Sequence, residues 1–223
     1  MKRVLDIIIS GTMIILFSPV LLILAVIVKV NLGSPIIFKQ LRPGKEEHFF
    51  YMYKFRTMTN EKNGMGQLLS DDVRLTKIGK ILRETSLDEL PELFNVFFGD
   101  MSIVGPRPQL IKDMVFMTTE QRRRHKVRQG ITGLAQVNGR NAINWEVKLQ
   151  YDLEYIKNIS FLNDIKIIIT TIKAVLKKEG INAKGMATAE DYGDYLLRNK
   201  KIDQKEYCDK LLLCQKLISN VSK

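Results

Sequence analysis

Cysteine, histidine and tryptophan are scarce in this chain: its 223 residues hold two, two and one of them. Cys208 and Cys214 make no disulfide framework and stand in no metal-site spacing with a histidine cluster. They read as reduced thiols on a helix. His48 and His125 have no neighbouring nucleophile or metal cluster, so both read as bystanders. No helix-turn-helix, zinc-finger or RNA-recognition signature is present, which argues against a nucleic-acid partner. Nor is there a Walker loop, an internal repeat or a low-complexity segment. Only one long apolar run occurs, so a protein of the multi-spanning type, which would require several, is not expected. That run is interrupted by Pro19 and followed by Val-Asn-Leu-Gly-Ser rather than a small-x-small cleavage site, so a secretory signal peptide is not expected. Acidic side chains are the minority, 24 against 35 basic ones, giving a formal net charge of +11. Together with the apolar run, this balance suits anionic lipid head groups or phosphorylated substrates.

The apolar run itself, Ile7 to Val28, is 22 residues without a charge. As one straight helix it would reach about 33 Å, enough to cross a bilayer. Pro19 has no N–H for the carbonyl of Ile15, and its ring crowds that turn. The run therefore reads as two half-helices broken at Ser18-Pro19, with Ser18 placed to cap the loosened backbone. Lys2 and Arg3 precede the run; Lys29, Lys39, Arg42 and Lys45 follow it. A spanning helix would leave one basic end on the wrong face, whereas a re-entrant hairpin keeps both on the cytoplasmic side. The competing reading is a proline-kinked single-pass anchor.

Beyond the run, the pattern predicts an α+β fold, mostly helical, with a small antiparallel sheet and interfacial amphipathic helices. Residues 1–30 form the re-entrant membrane segment, 31–185 a catalytic domain, and 186–223 a small helical C-terminal appendage. Strands are predicted over Ile36–Lys39 and Phe49–Arg56, joined by a turn at Arg42-Pro43-Gly44. Helices are predicted over Leu87–Phe98, Ile111–Met117, Thr119–Lys126 and Trp145–Ile156. Met101–Pro108 reads as irregular and Gly130–Arg140 as loop. Asn163–Lys178 is amphipathic, with Ile165, Ile168, Ile169 and Ile172 on a broad face rimmed by lysines, which favours the bilayer interface over the core. Tyr192–Asn199 and Lys205–Ile218 read as two short helices, with Asp203 and Glu206 as a cap pair.

Two constellations could carry chemistry. In Thr85-Ser86-Leu87-Asp88-Glu89-Leu90-Pro91, adjacent carboxylates fall at a helix start, with Ser86 and Glu89 spaced as a capping box. Ionised carboxylates there can serve as a nucleophile or ligate a hard cation, and they can equally be ordinary caps. The second is a spread of cations beside glycine and proline. Lys54 and Arg56 would share one strand face. Arg107 lies in the stiff segment Gly105-Pro106-Arg107-Pro108, and Arg140 follows the glycine-rich stretch from Gly130. Glycine loops with nearby arginine suit phosphate oxygens. The run Arg122-Arg123-Arg124-His125-Lys126 reads as a solvated or lipid-facing basic face.

Six ordered blocks resemble the bacterial sugar transferases called monotopic phosphoglycosyl transferases, in their minimal, catalytic-domain-only form. They are Lys2-Arg3-x-x-Asp6 before the Ser-Pro-broken run, Y-K-F-R-T-M at 53–58, S-L-D-E-L-P at 86–91, L-F-N-V at 93–96, G-D-M-S-I-V-G-P-R-P at 99–108 and G-I-T-G-L-A-Q-V-N-G-R-N at 130–141. W-x-x-K-x-x-Y-D-x-x-Y-I at 145–156 and Asp164 also fit. Two positions depart from the pattern: Glu92 stands where the family often has Gln, and Gln129 where Pro usually precedes Gly-Ile-Thr-Gly. The resemblance implies transfer of a sugar 1-phosphate from a UDP-sugar to a polyprenyl phosphate such as undecaprenyl phosphate, with UMP leaving. It implies Asp88 as the nucleophile that becomes a covalent phosphosugar adduct, and Glu89 as its partner and the ligand of Mg2+. Lys54, Arg56, Arg83, Arg107 and Arg140 become candidates for substrate phosphates; Asp152 and Asp164 become candidates for orienting those cations or the metal. The expected setting is the cytoplasmic face of a bacterial inner membrane, among membrane lipids, with a homodimer left open. The rival reading is a non-catalytic, membrane-anchored basic domain that binds anionic lipids or glycan-assembly partners.

Overall fold

In the computed structural model, residues 1–139, 143–176 and 190–221 are described. The apolar run forms helix α1, Lys2–Leu32, and the helix continues through Pro19. The expected interruption at Ser18-Pro19 is therefore absent from the secondary structure. The physical reason lies in the neighbouring serine: Ser18 Oγ donates to the carbonyl of Ile15 at 2.8 Å, supplying the hydrogen bond that Pro19 cannot. Both ends of α1 pack on the same domain. Near its start, the buried Asp6 accepts hydrogen bonds from Ser102 Oγ and the Ile103 N–H at 2.9–3.0 Å. Toward its end, Leu24 and Val28 join Phe55 and Leu82 in one buried cluster. Between them the helix is open: Ile15 is 76 %, Leu16 66 % and Leu22 68 % exposed. This is the one helix among the described residues that is long and apolar enough to cross a membrane.

Strands β1, Ile37–Pro43, and β2, Phe49–Phe55, pair antiparallel, with Ile37 opposite Phe55 and Lys54 opposite Phe38. The first strand outlasts its prediction because Pro43 occupies its last position, where a missing N–H is tolerated. The turn is accordingly displaced to Gly44–His48, around a 3-10 turn at Lys45–Glu47. A second pair was not expected. Strand β3, Met101–Val104, runs parallel to β4, Gln129–Thr132, where the sequence read as irregular chain and loop. Both strands are short and mostly buried, so they carry no alternation to betray them. Glycine knits this pair. A Cβ on Gly130 would stand 2.1 Å from the Gly105 backbone nitrogen, and one on Gly133 2.1 Å from the Gly105 carbonyl oxygen. Gly130 and Gly133 thus allow a close backbone approach to Gly105 that no side chain would permit.

Downstream, α5 spans Ile111–Met114, α8 Trp145–Lys157 and α9 Phe161–Leu176, with α6, Thr119–Arg122, and α7, Leu134–Val137, between them. Helix α9 buries Ile167 and leaves Ile165, Ile169 and Ile172 exposed. The last two helices, α10, Tyr192–Arg198, and α11, Gln204–Val221, share a core with the domain before them. Tyr192, Leu196 and Cys214 pack with Ile111, Met114, Phe116, Trp145 and Leu149. The Asp203 carboxylate accepts from the Glu206 N–H at 2.7 Å, as the cap pair predicted.

Candidate active site

After the single turn α2, Asp71–Arg74, helix α3, Lys77–Glu84, opens on Thr76, whose hydroxyl accepts from the Gly79 N–H at 3.0 Å. The chain then turns sharply at Ser86, a non-glycine residue with φ 57° and ψ 18°. This left-handed conformation costs on the order of 1 kcal/mol and sets the direction in which the next residues face. It also removes the expected capping box, because the Ser86 side chain makes no cap hydrogen bond. The predicted helix from Leu87 is split. Leu87–Glu89 is a 3-10 turn, Pro91 follows, and α4 runs from Glu92 to Phe98. At the far end of α4, Arg3 donates to the carbonyls of Val96 and Phe97, satisfying acceptors the helix leaves open.

Asp88 and Glu89 are neighbours in sequence but meet different surroundings. Glu89 Oε1 accepts from Lys54 Nζ at 2.7 Å and forms an ion pair with Arg107. Burial alone would raise its pKa, but Arg107 and Lys54 together hold the carboxyl well below the usual range. Asp88 is 8 % exposed and, among the described residues, accepts no hydrogen bond. Burial first, then the charge of Glu89, pushes its carboxyl up to about 6, against the pull of Lys54, Arg83 and Arg107. Two adjacent carboxyls are thereby set apart, one locked as an ion-paired anion and one uncommitted. At neutral pH both remain mostly ionised. Lys54 also lies 3.2 Å from Oε1 of Glu92, a fully buried carboxyl raised by burial to about 7.

The remaining candidates divide. Lys54 and Arg107 grip the dyad's glutamate directly. Arg83, half-buried on α3, donates through Nε to Thr57 Oγ1 at 3.1 Å and bears on the charge of Asp88. Asp152 is 2 % exposed and pairs with Arg124 Nε at 2.9 Å, while Arg124 Nη2 donates to the Arg107 carbonyl. Asp152 thus orients a cation that tethers the Arg107 segment. Arg56 does not reach the dyad: it is buried and donates to the Ser34 carbonyl at 2.9 Å, at the exit from α1. Asp164 is also elsewhere, bonded to Lys2 and to Tyr155 Oη at the start of α1. Arg140 lies outside the described residues.

Sequence reasoning missed Arg124 and Glu92. The basic run was read as a surface face, yet Arg124 is fully buried and His125 nearly so, while Arg123 pairs with Glu120 at the surface. The 3-10 turn over Arg123–Lys126 buries the adjacent Arg124 and His125 and leaves Arg123 and Lys126 outside, and only the buried partner Asp152 would have signalled this.

No cluster of three or more metal-ligating side chains occurs among the described residues. Magnesium does not require one, since it is commonly held by one or two carboxylates, waters and substrate phosphates. The ionised oxygens of Glu89 beside the unengaged carboxylate of Asp88 are donors of that kind.

A carboxylate dyad whose glutamate is paired with Lys54 and Arg107 thus lies on an α+β domain that carries one long apolar helix. Comparison with known proteins makes the class specific: the chain belongs to the bacterial sugar transferase family, whose model matches residues 1–178. It is 47 % identical over 192 residues to the uncharacterized sugar transferase EpsL of Bacillus subtilis, covering 86 % of this chain and 95 % of that protein. It is 45 % identical over 186 residues to a UDP-glucose:undecaprenyl-phosphate glucose-1-phosphate transferase of Klebsiella pneumoniae, covering 77 % of this chain but only 39 % of that protein. An exopolysaccharide production protein, PSS, of Rhizobium leguminosarum is 36 % identical over 192 residues, covering 80 % of this chain and 96 % of that protein. The two full-length matches span nearly all of their relatives, whereas the chain spans about two fifths of the Klebsiella transferase.

Proposed function

We propose that the protein transfers a sugar 1-phosphate from a UDP-sugar to a polyprenyl phosphate, through a covalent intermediate on Asp88. The observation that carries this reading is the divided dyad: Glu89 is held by Lys54 and Arg107, while the neighbouring Asp88 carboxylate is uncommitted. An Asp88 oxygen attacks the phosphorus that bears the sugar. The bond from that phosphorus to the UMP oxygen breaks, and UMP leaves with the electron pair. The resulting acyl phosphate is a reactive mixed anhydride. A phosphate oxygen of the polyprenyl acceptor then attacks the same phosphorus, and the bond to Asp88 breaks to restore the carboxylate. Arg107, Lys54 and Arg83, which lie around the dyad, would offset the negative charge that accumulates on the transferring group. Magnesium, where Glu89 holds it, would supply further neutralisation of the diphosphate. The relatives named for UDP-glucose and undecaprenyl phosphate supply the donor and acceptor classes.

In the same reading, α1 enters and leaves the cytoplasmic leaflet rather than crossing it. Its support is that Asp6 near one end and Leu24 and Val28 near the other are docked on one domain, with the exposed apolar middle between them. The open face of α9, Ile165, Ile169 and Ile172, would lie in the interface. Such a placement brings a soluble nucleotide sugar to a lipid-bound acceptor without extracting the lipid.

The deciding experiment is intact-protein mass after mixing with UDP-sugar and magnesium. Wild type should gain the mass of a sugar phosphate; Asp88→Asn should gain none and lose nearly all turnover while keeping its melting behaviour. Turnover retained in Asp88→Asn would overturn the proposal.

A further inference from the structure

Away from the dyad, a cleft of about 170 Å³ lies between the first turn of α1, the Lys45–Glu47 and Arg123–Lys126 turns, and the end of α8. Five cations line it, Lys2, Arg3, Lys45, Lys126 and Arg128, against the single acid Asp6. That acid is already engaged, with both oxygens accepting from Ser102 and one from the Ile103 N–H. Lys2 is paired with Asp164, and Arg3 is tied to the carbonyls of α4. Arg128 uses Nε on the Gly99 carbonyl at 2.8 Å and leaves its terminal nitrogens over. Lys45 and Lys126 are exposed, and among the described residues their ammonium groups make neither hydrogen bond nor ion pair. Several donors with no acceptor thus converge on one small cleft.

The edge of this cleft is apolar. Ile159 lines it and is 42 % exposed; Phe161 and Leu162 follow at 57 % and 77 %. On the side that Arg3 binds, Phe97 and Phe98 are 40 % and 70 % exposed. Free donors within an apolar rim match a phosphate that carries hydrocarbon, not a soluble anion. We infer that the cleft holds the phosphate of one anionic membrane phospholipid, bound beside the N-terminal end of α1. The inference rests on the membrane placement proposed above, and it assigns the cleft a ligand separate from donor and acceptor. Anionic lipids enrich the cytoplasmic leaflet, so such a site would fix the depth and orientation of the domain.

The test uses the full chain in neutral detergent. Native mass spectrometry with phosphatidylglycerol should show one lipid retained by wild type, and phosphatidylcholine at the same concentration should not replace it. Lys45→Glu with Lys126→Glu should weaken retention at least tenfold while detergent-assayed turnover stays unchanged. Lys200→Glu with Lys205→Glu, an equal charge change elsewhere, should keep the lipid. Equal loss in both double variants would mean general charge attraction and would overturn the cleft. A polyprenyl phosphate that displaces phosphatidylglycerol, and is itself lost in the Lys45/Lys126 variant, would reassign the cleft to the acceptor and overturn the phospholipid. Flotation of wild type with neither phosphatidylcholine nor mixed phosphatidylglycerol vesicles would instead overturn the membrane placement.

Discussion

Replacing Asp152 by asparagine should be among the most damaging single changes outside the dyad. Arg124 is fully buried, and Asp152, at 2 % exposure, is the carboxylate that balances it. Arg124 already leaves Nη1 without a hydrogen-bond partner, so it has little other compensation. Removing one partner of a buried pair costs about 3–5 kcal/mol, because a charge is left unbalanced in a poorly solvating interior. For a chain of this size, each kcal/mol lowers the melting midpoint by about 2–4 °C, so the expected fall is about 6–20 °C. Thermal melts of Asp152→Asn and wild type in one detergent measure it. The double variant Arg124→Met with Asp152→Leu removes both charges, and it should recover most of the lost stability. It should not recover turnover, because Arg124 also donates to the Arg107 carbonyl and holds the segment that presents Arg107 to Glu89. A fall of less than about 1 kcal/mol in Asp152→Asn would refute the reasoning. So would a double variant no more stable than the single one.

The buried Glu92 gives a pH signature. Burial raises the pKa of its carboxyl in the folded state from 4.5 to about 7, so the folded state binds the extra proton between those values and loses stability as pH rises through that window. Glu92→Gln should flatten that slope and be the more stable protein at pH 8; denaturant midpoints across pH 4.5–8 would show an unchanged slope if Glu92 is not responsible. EDTA should abolish turnover and Glu89→Gln should reduce it severely, so full activity in EDTA would rule out the proposed magnesium. Single cysteines placed near residues 2 and 31 should both react with a membrane-impermeant reagent from the cytoplasmic side only. Labelling of the first from the opposite side would establish a kinked single-pass anchor in place of the hairpin.

The sequence exposed the dyad more readily than its surroundings. Asp88 and Glu89 stand together in a short, ordered motif, and Lys54 and Arg107 announce themselves as cations next to strand and proline signals. Which cation meets which acid is a long-range fact: Lys54 reaches Glu89 across 35 positions, and no local pattern encodes that. Arg56, two residues from Lys54, was expected on the same face, but β2 ends at Phe55 and the chain turns its guanidinium toward Ser34. The β3–β4 pair was invisible for a related reason. Its two strands lie 28 positions apart at Met101 and Gln129, and each is buried too fully to alternate. Ser18 shows the opposite case. Its role in relieving Pro19 was legible, because the missing donor and the nearby hydroxyl are both local; what the serine achieved, a helix continuing through the proline, was the part that local reasoning reversed.

The docking of α1 also bears on how the protein is made. Its contacts lie far along the chain, at Val96, Ser102 and Asp164. A ribosome therefore finishes the apolar helix well before any of these partners exists. On the membrane placement proposed here, the helix meets lipid while the rest is still being synthesised, and the domain then folds against an anchor already in place. The bilayer surface becomes the workbench on which Asp6, Leu24 and Val28 receive their neighbours. A version lacking α1 would not be a trimmed soluble enzyme. It would leave Phe55 and Leu82 without a wall of their buried cluster, against which Leu87 and Leu90, on either side of the dyad, also pack.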